Sequence, residues 1–184
     1  MKQLIYLAIC ASVLTAACKK EELDALPKAT QEGKNTAGCL IDGQAFVATG
    51  WPSGGILGPS AIPPLTGGFA FDTLFYVKLY GQYKGENATV MLFIRGRKTG
   101  TYLLNRPTLY YPQGDPQYIF NHATFSLSHS MGEVYVTDTH NTGKVDLTYL
   151  TKPVSSGTFE FTAASTLDPR KTITITHGRF DRKQ

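Results

Sequence analysis

Four histidines and 14 carboxylates are the side chains of this 184-residue sequence best suited to acid–base or metal chemistry. Their spacing argues against most of it. His122 and His129 stand seven apart in one strand-like segment, and an odd spacing on a regular strand points them to opposite faces. His140 follows Asp138 by two, which places both near one hairpin, but two ligands do not make a zinc site. His177 shares the phase of Ile173 and Ile175, which makes it half-buried. No Gly-x-Ser-x-Gly elbow occurs, no Gly-rich phosphate loop opens a helix, and no carboxylate pair is marked out as a glycosidase dyad. The expectation is a non-enzymatic protein without metal or cofactor.

Aromatic residues in two long connections are better candidates for recognition. The segment 50–68 (GWPSGGILGPSAIPPLTGG) holds the single tryptophan, Trp51, and 105–117 (NRPTLYYPQGDPQ) holds Tyr110 and Tyr111. Connections this long in a compact domain are functional or disordered, and their apolar content favours packing across an edge or end of a sheet. Trp51, Tyr110 and Tyr111 would form a platform for a sugar ring or apolar ligand, with hydrogen bonds from Asn105, Arg106 and Asp115. The bland alternative is that these aromatics merely close the ends of the domain.

The three cysteines divide by position. Residues 4–14 (LIYLAICASVL) are an uncharged run behind Lys2, too short for the roughly 20 apolar residues of a membrane span but of signal-peptide length. Thr15-Ala16-Ala17 then precede Cys18, which resembles the lipobox of bacterial lipoproteins; Leu14 sits one place too early, with Thr15 between. Cys10 is a poor rival because Ile9 precedes it. Cleavage after residue 17 and lipidation of Cys18 would leave Cys39 the sole thiol, a small buried hydrophobe with no disulfide partner. Each buried CH₂ contributes about 0.8 kcal/mol, so two or three acyl chains on Cys18 would hold the protein to a membrane firmly. The Lys-Glu-Glu at 20–22 resembles the signal that sends lipoproteins to the outer face of the outer membrane; a periplasm-facing position is the alternative.

The elements that must position these residues read as strands. Phe69 to Tyr80 alternates with period two, Val90, Leu92 and Ile94 repeat the pattern, and so do Val145, Leu147 and Tyr149. Phe180 is out of phase with Ile173 and Ile175, and Gly178 between them marks a bulge. Asp72-Thr73-Leu74 resembles an O-glycosylation sequon, but the alternation places Thr73 on the buried phase. The organisation expected is a signal peptide over 1–17, a lipidated flexible tether over 18–36, and one all-β domain over 37–184. That domain would be a single antiparallel β-sandwich or barrel-like fold of eight or nine strands. As a coil, the tether would span roughly 20–25 Å root-mean-square. The net charge of +4 forms no cluster that marks a nucleic-acid surface.

Several segments together resemble a family of Bacteroidota outer-membrane lipoproteins. They are Leu26-Pro27-Lys28-Ala29-Thr30-Gln31-Glu32-Gly33-Lys34-Asn35-Thr36, Gly38 to Gly43, Thr99 to Tyr102, Ser156 to Ala163, and Ile173 to Asp181, in which His177 departs from the small polar or acidic residue expected. The resemblance implies a β-rich exported domain and carries over no activity or catalytic residue. The function expected is therefore a lipid-anchored envelope module that binds a glycan, an apolar ligand or an envelope protein. The alternatives are a structural lipoprotein without a small ligand and, less favoured, a hydrolase.

Overall fold

The computed structural model describes residues 20–55, 58–70, 73–110, 118–128 and 132–183, without side chains for 53–60. A helical turn over 20–24 is followed by thirteen strands: β1 (Thr36–Ile41), β2 (Gln44–Val47), β3 (Trp51–Gly55), β4 (Gly58–Ile62), β5 (Leu65–Ala70), β6 (Leu74–Tyr83), β7 (Glu86–Arg95), β8 (Gly100–Leu104), β9 (His122–Leu127), β10 (Val134–Val136), β11 (Gly143–Leu150), β12 (Val154–Ser165) and β13 (Thr172–Lys183). Nine of them form one antiparallel path, β2-β1-β13-β12-β10-β9-β7-β6-β5. The expected all-β domain of eight or nine strands is this path. The other four lie off it: β11 and β8 branch from β12, and β3–β4 is a separate hairpin.

The path curls because β6 is shared. Its first half pairs with β5, and farther along Gly81 bridges Ala48, just beyond β2. The β2 end of the path thereby touches β6, next to the other end, and the curled sheet is barrel-like. Alternation along the strands then fills a single interior: Ile41, Phe46, Phe75, Val77, Leu79, Val90, Leu92, Ile94 and Ile175 are wholly buried in one cluster. Burying each such side chain stabilises the fold by roughly 1.5–3 kcal/mol, so the interior supplies the dominant favourable term.

Two local features sharpen the sequence reading. The alternating run 69–80 is not one strand but parts of two, with Phe69 opposite Phe75 and Ala70 opposite Leu74. Thr73 consequently lies in the connection and is exposed, because strand phase does not carry across a turn. The bulge in β13 falls where expected, but His177 is the residue that takes the left-handed conformation, at φ 54°. That conformation costs a non-glycine residue about 1–2 kcal/mol. Gly178 is needed for another reason: a Cβ there would lie 2.4 Å from the Phe159 ring.

The segment expected as a flexible tether is corrected most. Residues 26–35 form a strap laid across the outer face of β1, β13, β12 and β11. Leu26 is buried, the Arg179 guanidinium donates to the Pro27 carbonyl at 3.4 Å, and Gln31 donates to Thr148 at 3.3 Å. The strap is held chiefly by Asp181, whose side chain points outward from β13 yet is only 1% exposed because the strap covers it. Its carboxylate accepts from Thr30 Oγ1 (2.5 Å), the amides of Glu32 (3.0 Å), Gly33 (2.8 Å) and Lys34 (3.2 Å), and Ser156 Oγ (2.8 Å). Asn35 closes the strap by accepting from the Lys183 amide at 2.9 Å. At its other end Glu22 accepts from the Ala45 amide at 2.5 Å.

Burial pushes the Asp181 pKa up, but the bonds from Thr30, Ser156, Lys34 and Gly33 outweigh it and hold the group at about 2. A depressed carboxylate contributes stability that is present above its ordinary pKa near 4 and is lost as pH falls towards 2. At 1.36 kcal/mol per unit the clamp is worth about 2 kcal/mol. Asp181→Asn is expected to lower unfolding free energy at pH 7 by about 2–4 kcal/mol, since it removes the charge that five donors face. Urea titrations between pH 7 and 2 check the sign: the wild-type advantage over the variant should shrink only below about pH 4. A gap that stays constant down to pH 2 would contradict the clamp.

Candidate functional site

The barrel has two distinct ends. The chain enters at the proximal end, where Glu22 meets Ala45 beside the β1–β2 turn; the β6–β7 turn and the 166–171 loop lie there too. The distal end holds the start of β6, the end of β7, Val154 and Lys183.

Trp51 does not lie with the other candidate contacts. The 50–68 connection is built of β3, β4 and most of β5 rather than irregular loop. Trp51 packs edge-on against Tyr80 at 5.1 Å and lines an apolar cleft of about 440 Å³ with Pro52, Ile62, Pro63 and Pro64. Arg95, beside the other candidates, pairs with Leu74. Six strand residues separate Leu74 from Tyr80, or about 20 Å, so Trp51 shares no platform with Asn105 and Arg106. Trp51 serves as packing for the hairpin on β6.

Asn105 and Arg106 do come together, at the distal end. They line a cleft of about 510 Å³ with Arg95, Leu103, Phe120 and Asn121. The Arg106 guanidinium stands 5.2 Å from the centre of the Phe120 ring, a cation–π distance that leaves its N–H edges available at the rim. Asn121 sets the wall: it accepts from the Arg95 amide at 2.8 Å and donates to the Leu103 carbonyl at 3.2 Å. Arg95 itself donates to the Ile119 carbonyl at 3.0 Å. Thr108 receives the Phe120 amide at 2.9 Å and so ties the 105–110 loop to the cleft. Tyr110 is half-buried in that loop, while Tyr111 and Asp115 lie outside the described residues, as does Cys18.

Arg95, Leu103, Phe120 and Asn121 escaped the sequence reading. The available signal was Arg95-Gly96-Arg97-Lys98 directly after a strand, a short basic run delivered to a barrel rim. Arg97 lies over the Phe69 ring at 5.7 Å on the same end. The arrangement offers planar donors, amides and aromatic faces together. That chemistry suits anionic or hydroxyl-rich ligands.

Two other reactive side chains, His122 and Asp138, have structural work. His122 is buried, stacks on Phe93 at 4.9 Å, and its Nδ1 donates to the Phe120 carbonyl at 2.8 Å. Burial pushes its pKa down to about 4 against the opposing effect of that bond, so the ring is neutral at pH 7. His129 lies outside the described residues. Asp138 is drawn below the usual carboxylate range despite burial, by bonds from Asn141 and the His140 amide, and these bonds shape the turn. His177, expected half-buried, is exposed, because the bulge breaks its phase with Ile175. Among the described residues, no three His, Cys, Asp or Glu side chains group as metal ligands would.

No protein-family model, no curated protein and no solved structure matches this chain.

Cys39 is wholly buried in β1, and burial pushes its thiol far above the ordinary value, with Arg179 opposing weakly. Attack on a disulfide reagent requires the thiolate. Native protein is expected to leave Cys39 unmodified by a thiol-specific chromogenic disulfide for hours, with the Cys39 equivalent released only on unfolding. Rapid reaction without denaturant would show that the β1 face opens.

Proposed function

We propose that this chain is a lipid-anchored, non-catalytic envelope module, held to the membrane through Cys18, that presents its distal cleft to an acidic glycan. The cleft carries the reading: two guanidiniums, two amides and the Phe120 ring meet in one opening of about 510 Å³. Guanidiniums pair with uronate carboxylates, amides bond hydroxyls, and an aromatic face packs against sugar C–H surfaces.

The strap supports an outward orientation for that cleft. Cys18 precedes Lys20 by two residues, at most about 7 Å of chain. With Glu22 fixed beside Ala45, the lipid would sit by the proximal end and the cleft would face away from the membrane. The domain would ride close to the lipid surface instead of swinging on a long coil. Outward transport would rest on the exposed pair Lys20 and Glu21, since Glu22 is committed to the Ala45 amide.

Two experiments test this reading. Cys18→Ala is expected to abolish palmitate labelling and leave the precursor uncleaved; normal labelling in that variant would sink the anchor. On a glycan array, the wild-type protein should bind uronate-rich chains over neutral ones, more weakly at high salt. Arg106→Glu should reduce that binding at least tenfold, consistent with loss of a charge-assisted contact worth about 1.5–3 kcal/mol, while Trp51→Phe should leave it unchanged. Equal binding to neutral glycans, or an indifferent Arg106→Glu, would contradict the assignment.

A further inference from the structure

Among the described residues, two buried side-chain atoms have no hydrogen-bond partner, Ser155 Oγ and Arg182 Nη1. They are not scattered. Ser155 on β12 and Arg182 on β13 are direct cross-strand partners. Alternation from Phe159 and Phe161 on one strand, and from Phe180 on the other, puts both on the inner face at the distal mouth of the barrel. Directly opposed residues hold their Cβ atoms about 4.5–5.5 Å apart, so the hydroxyl and the guanidinium address the same space.

A buried polar atom without a partner is destabilising, and one in a native protein calls for a specific explanation. Here there are two donors side by side, one of them charged. Burial also lowers the Arg182 pKa, the signature of a cation with too little compensation around it. The nearest carboxylate in sequence, Asp181, points to the opposite face and is saturated by the strap. Arg182 keeps partial exposure as a residue, while Ser155 beside it is wholly buried, so the pair lies just inside the mouth. Aromatic rings pack on the same inner face: Phe180 stacks on Phe75 at 6.3 Å, and Phe75 meets Phe69 at 5.6 Å.

We infer that Ser155 and Arg182 form an oxyanion subsite at the distal mouth, which takes the carboxylate of a small organic acid or of a ligand's acidic group. Two adjacent donors match the two oxygens of a carboxylate, and the apolar rings accommodate the carbon that bears it. The subsite is separate from the Arg106 cleft and stands whether or not that cleft binds glycan.

The test uses the full mature protein in detergent, labelled with ¹⁵N-arginine, and titrates acetate or inorganic phosphate against chloride at constant ionic strength. The Arg182 side-chain resonance, assigned by its loss in Arg182→Lys, should shift saturably with acetate. Ser155→Ala should raise the half-saturation concentration about tenfold, as expected for one lost bond to a charged group. Without acetate, the same variant should melt at or above the wild-type temperature, because no internal bond is removed. A linear, non-saturating shift would overturn the proposal. So would a Ser155→Ala variant that binds acetate like wild type or melts well below it, or saturation by phosphate but not acetate.

Discussion

The buried carboxylate of Asp181 is the interaction on which the rest of this structure depends. A charge on the outer face of a β-sheet would ordinarily be solvated; here the strap displaces the water and replaces it with five donors. The dependence runs both ways. Without Asp181 the amides of 32–34 have no reason to leave solvent, and without the strap Asp181 is an ordinary surface acid. Ser156 joins from β12, so one carboxylate ties the chain's first described segment to its last two long strands. Three stretches far apart in the sequence, 26–36, 156–163 and 173–181, meet at this point.

The clamp also sets how the proposed anchor works. A free coil of about 17 residues would let the domain wander 20 Å or more from its lipid. A docked strap turns those residues into part of the barrel wall. It runs from the proximal end at Glu22 to the distal end at Lys183. In the proposed reading, the lipid and the cleft therefore lie at opposite ends of one rigid body, and recognition is presented at a defined height and angle.

Legibility in the sequence followed the range of the interactions. Strands β6 and β7 were plain because their alternation is local: Phe75, Val77, Leu79 and Val90, Leu92, Ile94 each repeat within a few residues. The same alternation ran on through Phe69 and misled at Thr73, since a hairpin can keep apolar residues at even spacing on both sides of its turn. The bulge was visible through Phe180 and Gly178, although the strained residue proved to be His177. The strap was invisible for a clear reason. Its sequence is polar, and its partner stands about 150 residues away, so nothing near it announces burial. The site divided in the same way. Asn105 and Arg106 stood out within a Pro-rich loop, but Arg95 and Phe120 join them only through sheet pairing that brings β7 beside β9. Trp51 drew notice by its rarity and turned out to serve packing.

The central claim, that residues 26–35 belong to the folded barrel, is tested most directly by hydrogen exchange of the Gly33 and Lys34 amides at pH 7. Both donate to a buried carboxylate and should be protected to within about tenfold of the β12–β13 ladder, since opening them requires breaking the clamp. Exchange at the rate of an unstructured peptide would contradict the account and restore the strap to a free tether.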